Sequence, residues 1–250
     1  MEIKTEFSCS NCGYCCTDPS TQINITLIEI KYLSDYLKMS VKELFEKDII
    51  SFIPFISTED FSVFDVEFGM KRPCPLYKDN KCTIYEARPM NCRIFPYWFI
   101  TNDMPDEVEC TKDVKPDPIT FFKYRMYERM IGEMILKQSK DTEEFIKKIG
   151  TDQKIDFRDN EKVKKLVKLM KRRSRETDDK AQKIARKLMK MAESLVDKKR
   201  LLKKIPLIEE EIKKQDYKRE IEIILNSDAI IDGEITNVEI RHESDSQQHF

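Results

Sequence analysis

Apolar side chains first recur at helical spacing at Leu27, Ile30, Leu33 and Leu37, directly behind Thr26-Leu27-Ile28-Glu29. That tetrapeptide has the form of a capping box, in which Thr26 and Glu29 satisfy free backbone donors reciprocally. Ser40-Val41-Lys42-Glu43 repeats the box, with Val41, Leu44, Phe45 and Ile49 behind it. The pattern predicts helices over about 26–38 and 40–50. From Phe52 the texture changes. Pro54 interrupts, and the second half of Phe61-Ser62-Val63-Phe64-Asp65-Val66-Glu67-Phe68 alternates as a strand does, ending at Gly69. A second short strand is predicted through Cys82-Thr83-Ile84-Tyr85, with Asp79-Asn80 supplying the turn before it. Ala87-Arg88-Pro89 predicts entry to a short helix, because proline fits the first helical turn.

Two prolines in a mostly polar stretch, 113–118, mark a candidate boundary. Beyond it, Ile119 to Lys137 reads as a helix with Phe122, Met126, Met130, Ile131 and Met134 on one broad face, methionines at such spacing being core packing rather than metal ligands. A shorter helix is predicted at 141–149, ending at Gly150. Val163-Leu166-Val167-Met170 and Ile184-Leu188-Met191-Leu195 give two further helical stripes. Pro206 ends that stretch and Leu207 to Leu225 predicts one more helix. The fold class that follows is α+β, predominantly helical. A small cysteine-rich domain with short strands occupies 1–115, a charged helical region 116–226, and a poorly ordered tail 227–250.

Composition changes this picture in two ways. An apolar content of 40% over 250 residues can fill a real core, but 36% of residues are charged, well above the usual quarter. The charge is uneven: residues 158–204 hold 19 Lys plus Arg against 7 Asp plus Glu. This run permits an anionic partner. No aromatic platform accompanies Lys171-Arg172-Arg173-Ser174-Arg175, so a solvated helix face is the preferred reading over nucleic acid, and a protein partner is expected through the helical region. The N-terminus lacks the apolar segment of a signal peptide and no apolar run reaches membrane-spanning length, which predicts a soluble cytoplasmic protein.

In a reducing compartment, eight cysteines point to metal ligands or redox groups rather than to disulfides. They are Cys9, Cys12, Cys15, Cys16, Cys74, Cys82, Cys92 and Cys110, and none follows. Cysteines 9, 12 and 15 recur every third residue, so a loop winding round a centre can turn each sulfur inward. Cys16 breaks that register, and neighbouring side chains diverge, so Cys15 and Cys16 are expected to serve different centres or different edges of one. His242 and His249 are the only histidines and both lie in the tail. An all-thiolate set favours zinc or an iron-sulfur cluster over magnesium or calcium, and the spacing leaves the choice between them open.

Three segments together resemble the Cys-x-x-Cys-x-x-Cys-Cys proteins, a family of zinc- or iron-chelating domains that includes the flagellin lysine N-methylase group. They are Cys9-x-x-Cys12-Gly13-x-Cys15-Cys16, then Cys74-Pro75-Leu76 before Cys82-x-Ile84-Tyr85, and Arg88-Pro89-x-x-Cys92-Arg93-x-Phe95-Pro96. The resemblance covers about residues 5–112 and implies metal or cluster binding by the matching cysteines. It also offers protein-lysine methyl transfer as one activity, for which the five glycines form no Gly-x-Gly-x-x-Gly cofactor loop. The leading expectation is an iron-sulfur protein with a redox or electron-transfer role. A structural zinc module presenting its helices to a partner is the alternative. Arg88 and Arg93 flank Cys92 and are candidates to offset thiolate charge or donate hydrogen bonds to sulfur, with a surface ion pair such as one to Glu86 the competing reading. Tyr85, Phe95, Tyr97, Trp98 and Phe99 are read first as core packing and second as a shield around a cluster.

Overall fold

The computed structural model describes residues 6–17, 22–56, 63–97, 110–111, 114–150, 155–156, 159–162, 164–165, 168 and 179–232. The first cysteine-bearing element is a single helical turn, α1 (Tyr14–Thr17), followed by β1 (Ile23–Asn24). Helices α2 (Leu27–Leu37) and α3 (Val41–Glu46) both begin with the capping boxes read from the sequence. In α2 the Leu27, Ile30 and Leu33 stripe is buried, together with Ile28 and Tyr32. Helix α3 stops short of residue 50 because the chain turns at Asp48, whose φ of 54° lies in the left-handed region.

Strands β2 (Ser51–Ile56) and β3 (Val63–Met70) pair antiparallel, with Phe52 opposite Phe68 and Ser51 opposite Gly69. β1 pairs with the end of β3, Ile23 opposite Met70. A short strand at the start of the C-terminal half, β6 (Ile155–Asp156), pairs with the beginning of β3. Phe45 packs its ring against Phe52 and Phe68 at 5.0 and 6.1 Å between centroids, joining α3 to the sheet. β4 (Tyr77–Lys78) and β5 (Lys81–Cys82) form a separate hairpin about Asp79 and Asn80, both at positive φ, as the turn signal predicts. The predicted strand through Tyr85 ends earlier than expected. Tyr85–Ala87 is instead a 3-10 turn leading into α4 (Met90–Ile94), with Pro89 at its N-cap.

The boundary stretch before the long helix is itself a helix start. Asp117 accepts hydrogen bonds from the Ile119 and Thr120 amides, both at 2.9 Å, and Pro118 occupies the first turn of α5 (Pro118–Ile149). α5 runs unbroken through the predicted gap at 138–140, where no glycine or proline intervenes, and closes at Gly150 with φ 64°. Its buried face is also rotated from the expected one: Tyr124, Tyr127 and Ile131 are buried, whereas Phe122 and Met126 face outward at 65% and 48% exposure. α6 (Asp179–Leu195), α7 (Lys198–Leu202), α8 (Ile205–Lys214) and α9 (Lys218–Asp232) follow. Pro206 begins α8 rather than ending the preceding stretch, and the single helix expected over 207–225 is two. The 163–170 stripe and residues 171–175 lie outside the described residues.

One apolar core runs through both stretches of the chain, from Ile23 and Phe68 through Tyr127 and Phe145 to Leu188 and Ile224. α5 packs against α4 and α9, and α2 packs against α3, α5 and α8. The Leu27 amide, free at the start of α2, donates to Thr142 Oγ1 on α5 at 3.0 Å. No described helix is long and apolar enough to cross a membrane.

Candidate metal centre

Four anchors hold the first cysteine loop. The Phe7 ring stacks on Tyr124 at 4.8 Å and meets Tyr97 edge-on at 5.5 Å, while its amide donates to the Tyr124 hydroxyl at 2.7 Å. The Tyr77 hydroxyl donates to the Asn11 carbonyl at 3.0 Å. Gly13 adopts φ 78°, a conformation that favours glycine, and a Cβ there would lie 2.5 Å from that hydroxyl, so any other residue would strain the backbone and push the Tyr77 ring aside. Finally, the Cys74 amide donates to the Cys16 carbonyl at 2.7 Å, joining the first cysteine group directly to the second.

The remaining cysteines sit on a wall backed by core residues. Cys74 precedes the buried Leu76, Cys82 ends β5 before the buried Ile84, and Cys92 lies in α4 between the buried Met90 and Ile94. The α4 amide of Met90 donates to Glu29 at 2.8 Å. The same carboxylate accepts from the Thr26 amide and hydroxyl, so one fully buried acid caps both α2 and α4. Burial raises its pKa, and the Thr26 and Met90 hydrogen bonds oppose that rise.

Seven of the eight predicted cysteines, Cys9, Cys15, Cys16, Cys74, Cys82, Cys92 and Cys110, line one cavity of about 720 Å³. Cys12 is exposed and stands off its lining. All eight are free thiols. The Cys15 and Cys16 sulfurs are 3.9 Å apart, both carried by the turn of α1. They do not diverge as neighbouring side chains ordinarily would. Four sulfurs at about 2.3 Å from a zinc ion stand roughly 3.8 Å from one another, so this pair has the spacing of one tetrahedral edge. Cys74 Sγ lies 3.4 Å from the thioether of the buried Met70, another soft group on the cavity wall. Among the described residues, no three His, Cys, Asp or Glu side chains converge on one point at ligand distance. The cavity gathers the thiols around its walls rather than closing them on a single position.

The thiols differ in acidity. The hydrogen bond it shares with Cys16 brings Cys15 down to about 6 against the effect of burial, with Arg72 and Arg88 assisting. Cys16 is raised by the same interaction and then by burial. Burial raises Cys74 and Cys82, and pushes Cys92 and Cys110 each up to about 12. Arg72 opposes the rise at Cys74 and Cys92. Its Nε is buried with no hydrogen-bond partner among the described residues, as expected of a cation placed to face added negative charge.

The two predicted arginines have different places. Arg88 lines the cavity, lies over the Tyr85 ring at 4.1 Å, and acts on Cys15 and Cys82. Arg93 is wholly buried and turned to the protein: it donates to Asp228 at 2.8 Å, to the Arg88 carbonyl at 3.0 Å, and to the Glu86 carbonyl. Neither forms the expected surface pair with the Glu86 carboxylate. Arg88 instead donates to Asp228 at 2.9 Å. Phe95 and Tyr97 line the cavity and Tyr97 also packs on Tyr124 and Tyr127, so the packing reading holds for it. Trp98 and Phe99 lie outside the described residues. Sequence reasoning missed Met70, Arg72, Tyr77 and Asp228. Arg72, two residues before Cys74, carried the same signal of a cation beside a thiol that singled out Arg88 and Arg93.

Segments 9–16, 74–92 and 110 thus bring seven of the eight thiols to one cavity. Residues 8–112 match a family model, CxxCxxCC, described as "Putative zinc- or iron-chelating domain". This stretch is similar to that domain. An uncharacterised protein of Methanocaldococcus jannaschii, MJ0661, is 30% identical over 91 residues, which are 36% of this chain and 44% of that protein. The chain thus spans less than half the length of that relative. No solved structure matches. The family description and the all-sulfur donor set both support metal binding by the CxxCxxCC domain, with zinc and iron as the metals.

Proposed function

We propose that the CxxCxxCC domain holds an iron-sulfur cluster within its cysteine-lined cavity and serves electron transfer or redox chemistry. The observation that carries this reading is the number of donors: seven cysteines line one cavity, more than the four sulfurs that a single zinc ion takes. The cavity-lining cysteines are the candidate ligands. A bound cluster supplies one-electron chemistry, and its potential depends on charge, hydrogen bonding to sulfur and solvent exposure. The chain supplies these influences through Arg72 and Arg88, which act on the thiols, and through the aromatic rings of Phe7, Phe95 and Tyr97 in the cavity lining.

A structural zinc ion is the second reading, favoured by the 3.9 Å separation of the Cys15 and Cys16 sulfurs. Anaerobic purification distinguishes them. The cluster reading expects brown protein with iron and acid-labile sulfide in matching amounts. Colourless protein with stoichiometric zinc, unchanged by anaerobic reconstitution with iron and sulfide, overturns it in favour of zinc.

A further inference from the structure

The cavity has one wall that lies outside the CxxCxxCC domain. Asp228 belongs to α9, far beyond Cys110 in the chain, and lines the same space as the seven cysteines. Its carboxylate receives Arg88 on one oxygen at 2.9 Å and Arg93 on the other at 2.8 Å, and accepts a third hydrogen bond from the Tyr127 hydroxyl at 3.2 Å. Arg93 has no exposed surface, so the pair is built into the protein rather than laid over it. Two guanidinium groups against one carboxylate leave a net positive charge on the wall that faces the thiols. Arg88 is therefore held at the cavity from the far end of the chain.

We infer that Asp228 is a positioning residue of the metal centre, coupling metal binding in the cysteine cavity to the docking of α9. The coupling rests on the metal-binding reading above and runs both ways: a metal that is held better when Arg88 is in place must in turn hold α9 more firmly. Two neighbours allow its separation from simple packing. Ser227 is buried beside Tyr127 at 3.3 Å and shares the same helix junction without reaching the cavity lining. Arg88→Lys keeps the charge and leaves the Arg93 pair intact, but a single ammonium cannot span Asp228 and the Tyr85 carbonyl as the guanidinium does.

The test uses the full chain with cobalt(II) as the probe, following amide exchange in 218–232 and the thiolate-to-cobalt absorption band. Loading is expected to slow exchange at the Asp228 turn of α9 by about tenfold, within the range of measured site couplings. Asp228→Asn and Arg88→Lys should remove that response and shift the absorption band, Asp228→Glu should restore part of both, and Ser227→Ala should leave both in place. Where Asp228→Asn unfolds the junction by taking away the charge that Arg93 pairs with, Arg88→Lys decides alone. Cobalt uptake with no change in α9 exchange overturns this inference and leaves metal binding standing. So does a Ser227→Ala variant that abolishes the response equally. Failure of the wild-type chain to take up cobalt, zinc or iron overturns both.

Discussion

The two sides of the cysteine cavity are built by different means. The wall that carries Cys74, Cys82 and Cys92 is backed by Leu76, Ile84, Ala87, Met90 and Ile94, all in the shared core, and is capped by the buried Glu29. The loop that carries Cys9 to Cys16 has little core of its own: Cys9 and Cys12 are exposed, and the loop is held by a Phe7 anchor and a few hydrogen bonds. Burial of apolar surface fixes the wall when the chain folds, whereas the loop is placed by contacts each worth about 1 kcal/mol. A site with one preset side and one adjustable side can accept a metal without strain in its core. Only three of the eight thiols, Cys74, Cys82 and Cys92, stand on the wall that packing fixes.

The largest effect that would test this contrast is a difference between two cysteines. Cys92→Ser is expected to lose nearly all bound metal, and Cys12→Ser, which stands off the cavity, to keep most of it, measured as metal per chain by elemental analysis. Equal losses would break the division between wall and loop. Next is Arg93→Met, which leaves Asp228 and two carbonyls without their buried donor. It should lower stability by roughly 3–5 kcal/mol in urea unfolding, the usual consequence of breaking a buried pair. A smaller loss is expected at Gly13→Ala, where left-handed backbone costs about 1–2 kcal/mol and the added methyl meets Tyr77. It should weaken metal retention and lower the urea midpoint of the metal-free chain by less than Arg93→Met does.

The smallest effect lies on the sheet behind the wall. Burial pushes Glu67 up to about 7, with Asp65 and Glu143 adding to the rise. The folded carboxyl binds its proton more tightly than the unfolded chain does, so its contribution to stability is complete below the ordinary glutamate range and is lost as pH rises through about 7. Glu67→Gln should flatten the fall in urea midpoint between pH 5 and pH 8, and an unchanged slope would show that Glu67 is already ionised in the folded protein.

Local signals in the sequence carried much of this structure. Both capping boxes, the β4–β5 turn and Gly150 as a helix end were legible because the residues concerned act on neighbours within four positions. The joining of the cysteine segments was legible as chemistry, from thiol spacing. What escaped was set by distance in the chain. Nothing near Asp228 announces two arginines 135 and 140 positions away, nor near Glu29 its bond to Met90. The unbroken α5 and its rotated face were missed for another reason. Polar residues at 138–140 do not interrupt a helix unless they alter its backbone, and the buried face was chosen by Tyr124 and Tyr127, whose rings pack on Tyr97.

The hydrogen bond from the Cys74 amide to the Cys16 carbonyl joins two cysteines through their backbones alone. No substitution of a cysteine side chain removes either partner. A set of Cys→Ser variants therefore shares one stitch between loop and wall, and a variant that loses metal loses it for want of a sulfur rather than for want of the loop. The Cys74 amide proton becomes an internal standard: as long as it exchanges slowly, the two halves of the cavity are still facing one another.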